Sequence, residues 1–194
     1  MVIRSETRDD HAAIRRIVRA AAGPQEARLV DLVRQSDRYL PNLSFVAADQ
    51  DGTVLGYLML SRVDLVSDAT RQVLCLAPMA VAPARQRAGV GSTLIRHGLG
   101  AAEAEGEPLV LVLGHATYYP RFGFEPARAW GIEPPNDWTI PDEVWMVRRL
   151  DAYTAAHRGR VRYPTAFEEI APAADRRNSP RQGSGSSISP LDGP

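Results

Sequence analysis

Gly89 and Gly91 stand two residues apart at the head of a helix-forming run, with Arg85 and Arg87 just before them and Ser92 just after. Without side chains at those two positions, main-chain N–H groups are unobstructed where a helix begins. The orphan amides and the helix dipole there both favour negative charge. Each such contact is worth only ~0.3–1 kcal/mol when exposed, so affinity for a phosphate or diphosphate would come from several amides acting together. A dinucleotide fold needs Gly-x-Gly-x-x-Gly directly after a strand. Here position 94 is Leu, and Ala82-Pro83-Ala84-Arg85 separates the preceding strand from the loop, so that reading fails. Taken alone, the pattern also describes a generic tight turn.

Other chemistries are removed by composition. All 23 basic residues are Arg, because the chain contains no Lys. A Walker loop needs its Lys on the phosphates and a pyridoxal-phosphate enzyme needs a Schiff-base Lys, so neither can be built. The single cysteine, Cys75, permits no intrachain disulfide and no cysteine-based metal cluster. In mid-strand it reads as a buried small hydrophobe. A formal net charge of +0 gives no global field toward nucleic acid or an anionic membrane. The apolar run Leu109 to Leu113 falls far short of the ~20 residues of a membrane span. Charged side chains crowd the first ten residues, unlike a secretory signal, and the cytoplasm is the default compartment.

The elements that must position the loop can be read from periodicity. Val2 to Arg4 is a short strand. A first helix follows from the Thr7–Asp10 start signals to the Gly23-Pro24 stop, and a second covers Glu26 to Gln35. Leu43–Ala48 and Val54–Val63 are strands joined by the Asp49-Gln50-Asp51-Gly52 hairpin. Val73–Val81 is a strand broken by Pro78, which cannot donate to a ladder and so marks an edge, a bulge or a splay. A helix from Gly91 to Glu105, a fully apolar strand Leu109–Leu113, and a short helical turn over Thr117–Arg121 follow. A strand from Phe124 and a last strand over Val144–Leu150 close the fold, with Trp145 in the core. The order predicts an α/β (α+β) fold: one mixed central sheet, splayed near its middle, with helices on both faces. Residues 1–170 are expected to form one domain. Residues 171–194, rich in Pro, Ser, Gly and Arg, cannot offset their ordering entropy and are expected to be disordered.

Two blocks then make the reading specific. Gln86-Arg87-Ala88-Gly89-Val90-Gly91 resembles the acetyl-CoA-binding signature of the GNAT superfamily of N-acetyltransferases, and Met79-Ala80-Val81-Ala82-Pro83 resembles the strand end that precedes it. Tyr118-Tyr119-Pro120-Arg121-Phe122-Gly123-Phe124 is similar to the family's second block, and the wording of both further resembles the YhbS-like branch. The likeness covers about Val2 to Leu150. It implies acetyl-CoA as cosubstrate, no metal, and cofactor contacts from Met79, Ala80, Val81, Gln86, Arg87, Ala88, Gly89, Val90, Gly91 and Ser92. Within that set, Met79 and Val81 would hold the pantetheine arm as an added strand would, and the amides of Arg87 to Gly91 would face the pyrophosphate.

The resemblance implies that Tyr119 is the general acid near the CoA sulfur. A thiol titrates near ~8.5 and a phenol near ~10, so a placed phenol can protonate the departing thiolate, a service worth ~10²-fold at the lower end of the usual range. Tyr118 reads as packing. Gly114-His115 occupies the region where many members carry an Asn. His115 is a base or contact candidate, or a solvent-facing loop residue. No carboxylate lies in Val73–Met79 to serve as general base. Glu26 is a candidate by its region, set against a solvated helix charge, and Trp138 is a candidate wall of the acceptor pocket. The expected acceptor is a primary amine on a small molecule or a protein. Pairing of two chains is compatible with the sequence. The alternatives are a CoA-binding sensor or docking module and a longer-chain acyltransferase.

Overall fold

The computed structural model describes residues 1–136 and 138–168. The expected C-terminal tail, and the boundary before it, lie outside the described residues.

The first strand, β1 (Val2–Ser5), leads into a 3-10 turn at Arg8–Asp10 and then α1 (His11–Ala22). The Asp10 carboxylate sets that turn. It accepts from the Thr7 N–H at 2.8 Å and the Thr7 hydroxyl at 2.9 Å, and pairs with the Arg4 guanidinium at 2.6 and 2.8 Å. Gly23, at φ +103°, ends α1, and Pro24 opens α2 (Pro24–Arg34) at once, its missing N–H costing nothing in a first turn.

Continuous apolar runs, buried on both faces, then build a meander of β2 (Tyr39–Ala48), β3 (Val54–Val66) and β4 (Thr70–Val81), all antiparallel. The helix α3 (Val90–Ala104) crosses back to β5 (Leu109–Leu113), which lies parallel to β4. After a 3-10 turn at Tyr119–Phe122 come two-residue strands β6 (Glu125–Pro126) and β7 (Ile132–Glu133), then β8 (Trp145–Arg149), β9 (Gly159–Arg162) and the short α4 (Thr165–Glu168). Among the described residues the sheet has nine strands in the order β1-β2-β3-β4-β5-β8-β6, with β9 joined to the end of β3 and to β7. The expected single mixed sheet is present. The expected last strand is not the last, because β9 follows it and pairs Asp64–Val66 with Arg160–Arg162.

The two faces of β3 assign the helices. Leu58 and Leu60 pack with Val90, Leu94 and Ile95 of α3 on one face. Tyr57 and Met59 pack on the other face with Ile14, Val18, Leu29 and Val33 of α1 and α2. Further along this second face, Val63 and Leu65 join Cys75, Trp145 and Tyr163. Helices therefore cover both faces, as expected. Trp145 is fully buried and donates its indole N–H to the Ile132 carbonyl at 3.0 Å. Beneath α2, the buried Glu6 carboxylate pairs with Arg34 and accepts from the Tyr39 and Ser44 hydroxyls at 2.5 and 3.0 Å. This network fixes α2 against β2 and thereby the residues that α2 presents.

The sheet parts between β4 and β5. Their pairing is limited to Leu74 with Val110 and Cys75 with Leu111, although β4 runs on to Val81 and β5 to Leu113. On its other edge β4 stays paired with β3 through a bulge, in which Ala77 and Pro78 stand opposite Met59. The Ala77–Pro78 bond is cis. Pro78 lacks the N–H a ladder needs, and it sits in the bulge against β3, as expected of a proline in mid-strand.

Candidate active site

Main-chain direction along β4 follows from one bond. Ala82 donates its N–H to Leu55 O on β3 at 2.9 Å. Alternation along an antiparallel strand then turns the polar groups of Ala80 toward β3 and those of Met79 and Val81 the opposite way, into the gap. The Ala80 carbonyl indeed lies against Gly56 of β3. Met79 and Val81 thus form an open strand edge, whereas Ala80 borders the cleft with its main chain engaged elsewhere. The expectation that Ala80 also contributes cofactor contacts reduces to its small side chain.

The loop that follows brings amides to the end of this edge. Gly89 caps α3 in the left-handed conformation at φ +85°, and no side chain caps the helix. Arg87 is also left-handed, at φ +61°, a conformation that costs a non-glycine residue ~1–2 kcal/mol. Alternating handedness turns successive N–H groups to one concave side, the geometry of an anion nest. The first helical bond is from Thr93 N–H to Gly89 O, which leaves the amides of Val90, Gly91 and Ser92 without helical acceptors. Among the described residues, the amides of Arg87, Ala88 and Gly89 have no main-chain acceptor. Arg87, Gly89, Gly91 and Ser92 border the cleft. Ala88 and Val90 do not, and Val90 packs in the core beside Gly56, so these two contribute main chain alone. The Gln86 side chain donates to Val81 O at 3.3 Å, tying loop to strand end.

The glycines have different causes. A Cβ on Gly89 would meet nothing within 4 Å, so its conformation is what requires glycine. A Cβ on Gly91 would lie 2.8 Å from the Tyr118 hydroxyl, so this glycine seats Tyr118 against the helix start. The Arg121 guanidinium stacks 4.5 Å over the Tyr118 ring, and Arg121 borders the same cleft. Its charge at this rim is a feature that the two-block resemblance does not single out.

Tyr119 follows directly. It is 7% exposed, with edge-to-face contacts to Tyr118 and Phe124 at 5.3 and 5.5 Å. Gly114 lies under the ring: a Cβ there would be 2.2 Å from Tyr119 Cε2. Burial pushes the phenol's pKa up, with smaller contributions from Tyr118 and Cys75. Tyr119 therefore stays protonated across the neutral range, as a proton donor must. His115 is exposed at the cleft rim, its carbonyl accepting from the Tyr118 N–H at 3.0 Å. Cys75 is buried beside the Tyr163 hydroxyl at 3.6 Å, and burial pushes its thiol up to about 12, which leaves no nucleophile there at neutral pH.

A cleft of about 1280 Å³ runs through the parting, connecting the α3 side of the sheet with the α1–α2 side. Its second half is bordered by Glu26 and Leu29 of α2 and by Trp138, Tyr163 and Phe167. The expected cleft wall at Trp138 is present. Glu26 is not the solvated helix charge that was the default: it is half-buried on this wall, and burial raises its carboxyl pKa above the usual range. Tyr163 and Phe167 lie beyond the last strand that periodicity predicts, though the run Arg160-Val161-Arg162-Tyr163 alternates as a strand does. Among the described residues no group of three or more His, Cys, Asp or Glu is placed to hold a metal ion.

Known proteins share this arrangement. A family profile described as an acetyltransferase (GNAT) domain matches residues 41–126. The uncharacterized N-acetyltransferase YjhQ of Escherichia coli K12 is 36% identical over 160 residues, 80% of this chain and 87% of its own length. The chain belongs to the GNAT acetyltransferase family. A second GNAT relative, the uncharacterized N-acetyltransferase YhbS of E. coli K12, is 36% identical over 173 residues, 88% of this chain and all of its own. The crystal structure of E. coli YhbS in complex with CoA superposes with a TM-score of 0.77 at 30% identity, over 86% of this chain and 91% of that one. A GNAT acetyltransferase from Brucella melitensis in complex with acetyl-CoA gives 0.68 at 31% identity, over 86% and 97%. As a GNAT protein the chain is an acyltransferase, and both blocks that carried the resemblance border its central cleft.

Proposed function

We propose that this GNAT protein is an acetyl-CoA-dependent N-acetyltransferase whose acceptor is a primary amine. The observation that supports it most is the parting of β4 from β5 directly ahead of an α3 N-terminus with open amides. An amide-bearing arm can pair with Met79 and Val81 as a missing strand would, while a diphosphate is received by the amides of Arg87 to Gly91, the Ser92 hydroxyl and the Arg87 charge. Gln86 holds the loop in place through Val81. The cleft exceeds the ~300–1,000 Å³ of ordinary small-ligand sites, which suits a long donor and an acceptor together.

Bound acetyl-CoA supplies an acetyl thioester at the parting. Tyr119 lies beside it, neutral and with its ring locked between Gly114 and Phe124, ready to give its hydroxyl proton to sulfur as the C–S bond breaks. Met79 and Val81 on the strand edge would hold the arm of the cosubstrate, and the α1–α2 side of the cleft would be left to the acceptor.

Thermal denaturation with added CoA tests the loop. A ligand at a hundred times its Kd stabilises by about 2.7 kcal/mol. Gly89→Glu would put a carboxylate into open space at the nest and is expected to lose that protection while still folding. Normal CoA protection in this variant would disprove the loop assignment. Tyr119→Phe is expected to lower thiol release by about 10²-fold. CoA protection with no thiol release from any amine would instead mark a binding module.

A further inference from the structure

The half of the cleft on the α1–α2 side has a distinct chemical character. One wall is an aromatic stack: Trp138 lies parallel to Tyr163 at 5.1 Å between ring centroids, with 21° between planes, and Tyr163 meets Phe167 at 4.8 Å. The facing wall is α2, with Leu29 and the half-buried Glu26. The cationic side chains bordering the cleft, Arg87 and Arg121, belong to the α3 start and to the turn that carries Tyr119, which serve the other face of the sheet. Among the described residues bordering the acceptor half, Glu26 is thus the charged group, and no cation there could receive a carboxylate.

Resting on the acetyltransferase reading above, we propose that the acceptor is an apolar, ring-bearing primary monoamine, with Glu26 as the carboxylate that receives its ammonium and removes the proton. A cation between a carboxylate and aromatic faces is stabilised by both, and more so when desolvated. The flat apolar remainder lies along the Trp138–Tyr163–Phe167 wall. An amino acid of the same shape would bring its own carboxylate beside Glu26 with nothing to pair it, an arrangement that rejects by desolvation and like charge.

The protons balance. The Glu26 carboxylate takes one from R–NH3⁺ and later yields it to water. The freed nitrogen lone pair forms the C–N bond as the C–S bond breaks and the Tyr119 proton passes to sulfur. The second proton lost by nitrogen restores the phenol through solvent. The products are the N-acetyl amine, the free thiol and one released proton. Burial, which raises the Glu26 carboxyl, makes it a stronger base than an exposed glutamate.

The test uses the full chain with acetyl-CoA and reads thiol release for 2-phenylethylamine, ethylamine, phenylalanine and an N-terminally free peptide. Expected is a kcat/KM for 2-phenylethylamine at least tenfold above each of the others. Glu26→Gln is expected to lower kcat by about 10²-fold and to abolish the acidic limb of the pH–rate profile, with CoA protection unchanged. Glu26→Asp should restore that limb, which a merely structural role would not do. Trp138→Ala should narrow the gap between 2-phenylethylamine and ethylamine. Turnover that favours phenylalanine or the peptide, or a Glu26→Gln protein with the native rate and profile, overturns this inference and leaves the acetyltransferase reading standing. Loss of CoA protection and of thiol release with every amine overturns both.

Discussion

Gly114→Ala is the substitution that most sharply separates a placed Tyr119 from a merely packed one. The new Cβ would stand 2.2 Å from Cε2, 2.7 Å from Cδ2 and 3.2 Å from Cζ of the Tyr119 ring. Carbon atoms rest at ~3.5 Å or more, so the ring must retreat by roughly 1 Å. It cannot retreat freely, because Phe124 and Tyr118 hold its other sides. Overpacking of this kind typically costs ~1–3 kcal/mol, which a folded domain can survive. The kinetic consequence is larger: a displacement of ~1 Å at a reacting group can cost ~10²-fold. If Tyr119 delivers a proton from its native position, Gly114→Ala should lower kcat about as far as Tyr119→Phe does. The double variant should then be hardly worse than either, since the phenol can be lost once. The assay is steady-state thiol release for the four proteins of this cycle, each checked for CoA-dependent stabilisation. Native kcat in folded Gly114→Ala, or a full further loss on adding Tyr119→Phe to it, would refute the assignment.

Three further outcomes follow from the same geometry. Arg87→Gly should leave the fold as stable or up to about 1 kcal/mol more stable, because the left-handed strain is removed, yet weaken CoA binding through loss of a charge, read by melting with and without CoA. Glu26→Gln should stabilise the protein at pH 7: a carboxyl whose folded pKa is raised by burial favours folding in its neutral form, so native stability falls as pH rises through that window and the amide escapes the loss. A gain of a few tenths to ~1 kcal/mol together with lost activity is the expected pattern, and a loss of stability would contradict it. Asp10→Asn should cost ~1–2 kcal/mol at pH 7 and progressively less in acid, because Arg4 and Thr7 hold the native carboxyl at about 2 and its contribution is lost as pH falls from the ordinary carboxylate range through that value. Urea titrations at several pH values measure this.

Local signals carried most of the site. Gly89 and Gly91 announced a helix start with free amides, and Pro78 announced an irregular strand, because both depend on what a residue can do with its own backbone. Their partners were beyond such reasoning. That Gly91 seats Tyr118 is a steric fact between segments far apart in sequence, and that Gly114 seats Tyr119 depends on how the chain turns back between the two. Glu26 looked like any helix surface charge, since only the fold brings α2 to a cleft that Trp138, Tyr163 and Phe167 also border. Tyr163 shows the limit most clearly: the run Arg160-Val161-Arg162-Tyr163 alternates, but only pairing of β9 with the far end of β3 brings Tyr163 to the cleft.

One feature of β4 serves two needs at once. The strand must be held firmly by β3 to position the loop, yet be released by β5 to leave a polar edge free. Thirteen residues of β3 against twelve of β4 meet the first need. The second is met by ending the β4–β5 pairing at Cys75 with Leu111, although β4 itself continues to Val81. The open edge therefore lies along the end of β4, where Met79 turns its main-chain donor and acceptor into the gap and Val81 turns its N–H there while its carbonyl takes the Gln86 side chain.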